Sequence, residues 1–226
     1  YIAAANSILY IGATPHFVDI GLNDLFIDVK KLEKYLETTT TQVRGRLINK
    51  KTGKIIKAII ATYIFGKGGQ INELVKISKK FKLKIIEDAS EALGSYYKKK
   101  HLGTFGNIGV VSFNGNKIIT TGGGGAILTN NQKLFKKCYE LSTISRKRKN
   151  NWEYDYSGLG YNYRLPGLNA SLGNSQLKKI KKYLRIKNKI YNHYKKYFSG
   201  NEIFLMKNEK NFKNNNWLNS LFIKDS

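Results

Sequence analysis

Only one cysteine, Cys138, is present, which rules out an internal disulfide and fits a reducing, cytoplasmic setting. The three histidines, His16, His101 and His193, have no metal-ligand spacing, so no His/Cys metal centre is legible. No apolar run reaches membrane-spanning length. The first 18 residues lack a formal charge but include Asn6, Ser7, Thr14 and Pro15. Neither a signal peptide nor an internal repeat can be read. Acidic side chains are scarce: 15 Asp+Glu stand against 40 Lys+Arg, a formal net charge of +25.

A charge of that size invites a nucleic-acid reading. Against it, the lysines are spread along most of the chain and accompany abundant Asn, Ile, Tyr and Phe. AT-rich codons produce that joint enrichment, so mutational bias expressed on a solvated surface is the better account. The basic stretch Lys178–Phe198 agrees. Leu177, Ile180, Leu184, Tyr191, Tyr194 and Phe198 recur at three- and four-residue spacing, which puts the lysines on the outer face of an amphipathic helix.

With 226 residues and 41% hydrophobic content, the chain can bury one large core, or one and a half. It begins at Tyr1 without methionine and ends just after the strand-like "WLNSLFI", so it reads as a piece of something longer. Apolar runs predict strands at His16–Ile20, Ala58–Ile64, Leu83–Ala89, Ile108–Phe113 and Gly125–Asn130. Amphipathic patterns predict helices at Val29–Leu36, Ile71–Phe81 and Gln132–Ser142. This alternation predicts an α/β layer with a largely parallel sheet. "NKKTGK" (Asn49–Lys54) reads as a hairpin turn, and Arg146–Tyr163 as a long loop. One helix is expected from near Gly167 to about Phe198. We expect a large domain over residues 1–175, and over 176–226 a linking helix with the start of a second, smaller domain.

The sharpest local signal is a clearing of charge. A 30-residue window of this chain should hold about 7 charged residues, yet Gly103–Gln132 holds one, Lys117. A lysine that acts as a nucleophile needs its neutral amine, which the absence of other cations favours. Lys117 also follows a buried strand, at the edge where functional groups gather in α/β proteins. The bland alternative is a loop lysine reaching solvent. Gly122–Gly125 is no Walker loop, because the lysine precedes it; a sharp turn before the next strand is the simpler reading. Asp88 ends the strand "LKIIEDA". It either caps the turn "ASEALG" or holds a cationic cofactor nitrogen, and Glu87 beside it points to the other face.

Taken in order, Asp88-Ala-Ser-Glu91-Ala, "GTFG" (Gly103–Gly106), Ser112-Phe-x-x-x-Lys117 and the glycine run resemble the DegT/StrS-type nucleotide-sugar aminotransferases. "YIAAANSILYIGATPHFVDI" (Tyr1–Ile20) and "GYNYRLPGLNASLGNSQL" (Gly160–Leu177) extend the resemblance over essentially the whole chain. It implies a pyridoxal 5'-phosphate (PLP) enzyme of the aspartate-aminotransferase fold, with the sheet between helices. By this resemblance Lys117 would bind PLP covalently and shuttle the substrate proton, and Asp88 would pair with the pyridine nitrogen. Ser112 would bind the phosphate, and Asn162 would reach it from the partner subunit of a homodimer. Tyr1 stands where the family stacks an aromatic residue on the ring. Glu91 stands where many members have Gln near the cofactor's 3'-oxygen, and Arg164 is placed toward a donor or sugar-phosphate anion.

"SFNGNKIITTGGGG" and "NKKTGKIIKAII" resemble most the aminotransferases of bacillosamine and legionaminic acid synthesis. These aminate C4 of a UDP- or GDP-linked 2-acetamido-4-keto-2,6-dideoxy sugar, with glutamate as expected donor, for bacterial surface glycans. Tyr63 departs from a common His, and Asn107 from a usual Asp. Family dehydratases replace the lysine with His, so Lys117 argues against that branch. Because family members run beyond both ends of this sequence, the 226 residues by themselves are expected to be a poor or inactive enzyme. The rival from another class is a basic nucleic-acid-binding protein, which predicts steep salt dependence of binding.

Overall fold

The computed structural model describes residues 1–148, 150, 152–199, 202–208 and 210–224. In chain order come α1 (Ala3–Leu9), α2 (Val29–Thr39), β1 (Thr40–Val43), β2 (Arg46–Asn49) and β3 (Ile55–Ile56). There follow β4 (Ala58–Thr62), α3 (Ile71–Lys80), β5 (Lys84–Asp88), β6 (Tyr96–Tyr97), β7 (Lys100–His101), β8 (Ile108–Ser112), β9 (Gly125–Leu128) and α4 (Gln132–Ser142). Then come β10 (Arg146–Arg148), β11 (Tyr154–Tyr156), α5 (Gly167–Leu177) and α6 (Ile180–Tyr197). Three short strands follow, β12 (Ile203–Leu205), β13 (Phe212–Lys213) and β14 (Leu221–Ile223).

The expected α/β layer is there. Its sheet runs β4-β5-β8-β9, with β4, β5 and β8 parallel and β9 antiparallel to β8, so it is mixed. Ile59 and Ala61 of β4, Ile85 of β5 and Val111 of β8 alternate with half-buried neighbours and meet Leu32 and Leu36 of α2 and Leu74 and Ile77 of α3. Each of the Ile, Leu and Val side chains contributes about 1.5–3 kcal/mol when fully buried. Polar side chains start the helices where the apolar pattern does. Asp28 accepts the N–H groups of Lys30 and Lys31, and Asn131 those of Lys133 and Leu134. Asn49–Lys54 turns the β2–β3 hairpin as expected, with Asn49 Oδ1 accepting the N–H groups of Lys51 and Thr52.

Three expectations are corrected. His16–Ile20 is no strand: Ile20 makes a single bridge to Ile27, Phe17 is exposed, and Pro15 lacks a donor at its start. The helix expected from Gly167 breaks at Lys178–Lys179, because its halves serve different neighbours. Asn169 and Gln176 of α5 bond to Thr121 and Thr120, whereas Ile180, Tyr183 and Leu184 pack with Trp217. Arg146–Tyr163 is not all loop. β10 and β11 pair within it, Arg146 opposite Tyr156, with the Arg146 guanidinium 4.4 Å from the Tyr154 ring. Strands of three residues are too short for periodicity to reveal; Lys149 and Asn151 between them lie outside the described residues.

Candidate active site

The register of the sheet decides which side chains can meet. Asp88 pairs with Val110, so Asp88 and Ser112 lie on the same face at the same strand ends, while Glu87 opposes Gly109 on the other face. Beyond Ser112 the chain forms a closed loop. Phe113 N–H donates to Gly124 O at 2.9 Å, Thr121 N–H to Phe113 O at 2.9 Å, and Lys117 N–H to Asn114 O at 3.1 Å. Gly124 is required for this return: its φ is +96°, and a Cβ there would meet Leu165 Cδ1 at 2.7 Å. From outside, the Gln176 amide grips the loop, exchanging two 3.1 Å hydrogen bonds with the Thr120 backbone. Lys117 therefore sits on a fastened loop at the edge that carries Asp88 and Ser112.

The Lys117 side chain is only 13% exposed. Its Nζ lies 3.6 Å from Glu91 Oε1 and 4.1 Å from the centroid of the Trp217 ring. Glu91 Oε2 accepts the Phe65 N–H at 2.7 Å, holding a non-glycine residue at φ 57°, a sparsely populated conformation that tends to occur at functional sites. The Trp217 indole N–H donates to Asn116 O at 2.7 Å. Asp88 Oδ1 accepts the Ser90 N–H at 3.2 Å; its other oxygen has no hydrogen-bond partner among the described residues. Ser112 Oγ accepts the Asn114 N–H at 3.2 Å, which leaves its hydroxyl proton available to donate. The edge thus gathers an enclosed amine, a carboxylate with a free oxygen and a hydroxyl.

Tyr1, Asn162 and Arg164 are not brought into this group. Tyr1 is fully exposed ahead of α1. Asn162 is exposed and bridges its backbone to Thr143. Arg164 lays its guanidinium 4.9 Å from the Tyr139 ring on α4.

Two features were not legible. Trp217 carries no motif, and only the fold brings it to Lys117. Glu87 is fully buried and accepts from Tyr63 OH at 2.5 Å, Gly103 N–H at 2.8 Å and Gly106 N–H at 2.5 Å. It thereby fastens the "GTFG" segment behind the site. Burial first, then the Glu87 charge, push the Tyr63 phenol well above its ordinary range. That the residue before Asp88 faces away was readable from strand alternation; its three donors were not. Among the described residues, no three His, Cys, Asp or Glu side chains cluster to hold a metal, and no helix is long and apolar enough to cross a membrane.

Known proteins resemble the chain over most of its length. The UDP-4-amino-4,6-dideoxy-N-acetyl-beta-L-altrosamine transaminase of Campylobacter jejuni (strain 81-176) is 37% identical over 213 residues, 94% of this chain and 53% of the relative. The GDP-perosamine synthase of Escherichia coli O157:H7 is 35% identical over 196 residues, 87% of this chain and 49% of the relative. Helicobacter pylori PseC, an aminotransferase involved in the biosynthesis of pseudoaminic acid, superposes with a TM-score of 0.87 at 31% identity, over 99% of this chain and 56% of that one. The chain spans about half the length of the curated relatives it matches. A lysine enclosed on a strand-edge loop and likeness to sugar aminotransferases point the same way, and the family model matches throughout: residues 1–226 belong to the DegT/DnrJ/EryC1/StrS aminotransferase family.

Proposed function

We propose that the whole protein carrying this chain is a PLP-dependent aminotransferase that moves the amino group of glutamate onto a nucleotide-linked keto-sugar. One observation carries the reading: Lys117 is enclosed at the strand edge that also presents Asp88 and Ser112. The residues fit PLP by their chemistry. The free oxygen of Asp88 suits a protonated pyridine nitrogen, the Ser112 hydroxyl suits a phosphate oxygen, and Lys117 is the one amine in a stretch cleared of other charge.

When bound, PLP supplies an electron sink that lets the Cα–H bond of the donor ionise. The protein supplies orientation and proton traffic. Lys117 Nζ would anchor the cofactor and, once the donor amine has displaced it, would take the proton from Cα and return it to the carbon that receives the amine. Asp88 would keep a proton on the ring nitrogen, and Ser112 Oγ would hold the phosphate. In sum, glutamate and a keto-sugar become 2-oxoglutarate and an amino-sugar.

More finely, we place the amination at C4 of a UDP-linked 2-acetamido-4-keto-2,6-dideoxyhexose, in the synthesis of bacterial surface glycans such as those built from bacillosamine or legionaminic acid. The "SFNGNK" sequence supports this, as does the name of the Campylobacter relative, a UDP-linked 4-amino sugar transaminase. The same reading assigns Glu91 to the cofactor's 3'-oxygen, Tyr1 to the ring face and Arg164 to an anion of donor or sugar. It assigns Asn162 to the phosphate of a partner subunit in a cytoplasmic homodimer. The division of the chain near residue 175, beside the break between α5 and α6, belongs to this proposal too. Borohydride reduction of the whole protein loaded with PLP, followed by peptide mapping, tests the reading. Label on Lys117 is expected; label on another residue, or none, overturns it.

A further inference from the structure

Trp217 is the one large side chain at the site to which no role has been given. It is 8% exposed and packs with Ile118 and Ile119, the two residues after Lys117. Its orientation is over-determined. The indole N–H is tied to Asn116 O, and its backbone N–H donates to Asn215 Oδ1 at 3.0 Å. The amide nitrogen of Asn215 donates to Glu91 O at 2.7 Å and Leu93 O at 3.0 Å, and its backbone N–H donates to Ser95 Oγ at 2.9 Å. Asn215 thus locks together the segments that carry Trp217 and Glu91, the two groups flanking the Lys117 amine.

We propose that Trp217 is a positioning residue for Lys117: its ring face, together with the Glu91 carboxylate, docks the Lys117 ammonium whenever that amine is not bonded to the cofactor. This rests on the reading of Lys117 as the cofactor lysine. An indole face attracts a cation through its quadrupole, most strongly when water is excluded, and a carboxylate 3.6 Å from the amine adds a second attraction. The docking matters at one stage. After Nζ has taken the proton from the donor's Cα it is a cation, and it must stay within reach of the site until it gives the proton up. A four-carbon side chain without a docking position would disperse over several rotamers at that moment.

The experiment uses the whole protein with selectively 13C-labelled lysine, treated with L-glutamate so that the cofactor is aminated and Lys117 is free. The Lys117 Cε resonance, assigned by its loss in Lys117→Arg, is expected upfield because it lies over the indole ring. Trp217→Leu should abolish that displacement and lower kcat about tenfold with KM for glutamate changed less than twofold. Trp217→Phe, which keeps an aromatic face and drops the bond to Asn116, should retain most of the displacement and of kcat. A normal resonance position in the wild-type protein overturns the proposal even if Trp217→Leu does not fold. So does a folded Trp217→Leu with unchanged resonance and kcat. If borohydride fails to label Lys117, the functional reading itself falls; a labelled Lys117 with no effect of Trp217 sinks this inference alone.

Discussion

Asp88 serves the turn that follows it and, in the proposed function, a cofactor as well. Its Oδ1 accepts the Ser90 N–H of the following turn, while the second oxygen has no hydrogen-bond partner among the described residues. Replacing Asp88 by Asn keeps the turn acceptor and removes the charge that would hold a proton on the cofactor ring. Loss of one preorganised electrostatic partner costs on the order of 10²–10³ in kcat. Asp88→Asn is therefore expected to lower kcat of the whole protein about a hundredfold or more, with its urea midpoint essentially unchanged. Steady-state kinetics beside a urea melt would separate the two effects. Equal kcat for wild type and Asp88→Asn would remove Asp88 from the mechanism. Glu91 is likewise divided, one oxygen toward Lys117 and one on the Phe65 N–H. It couples the amine to the backbone turn at Phe65, a position that carries no sequence motif.

At the level of elements, the strands that position the site were readable because each is an apolar run followed by an amphipathic helix or a glycine turn. Of the shorter ribbons only the β2–β3 hairpin was, through its turn residues, since two or three residues carry no period. The β6–β7 ribbon is such a case, and it holds a titratable group. Burial keeps the His101 imidazole below its ordinary value, and its Nε2 accepts the Gly94 N–H at 2.9 Å, a bond available only to the unprotonated nitrogen. The sign follows from linkage. An unfolded chain takes up a proton near pH 6.5, whereas the folded protein resists it. The stability tied to neutral His101 is thus complete above about pH 6.5 and is lost as the pH falls below that value. His101→Gln, which keeps an acceptor but does not titrate, should lose less stability than wild type between pH 7.5 and pH 5.5. Urea denaturation at both pH values measures the difference, and parallel losses in the two proteins would contradict the assignment.

For the whole molecule, net charge was a poor guide and residue order a good one. The +25 charge reflects lysines that recur on solvent-facing positions such as the outer side of α6, whereas Lys117, the amine proposed to act, stands in a stretch of sequence cleared of other charge and is enclosed beside Glu91. What a single chain could not reveal is how distant groups complete the site. Asn162 is exposed and bridges its backbone to Thr143, yet the proposed function assigns it to the phosphate of a neighbouring subunit. In a twofold dimer, each site would then take Lys117 from one subunit and Asn162 from the other. Lys117→Ala and Asn162→Ala should each be nearly inactive alone. Unfolded together and refolded as a mixture, half of the dimers pair one variant with the other. Each of those holds one site with both residues intact, so about a quarter of wild-type activity should return. Were both residues to act within the same subunit, no pairing could assemble an intact site. An inactive mixture that sedimentation shows to contain heterodimers would therefore place Asn162 outside the partner's active site.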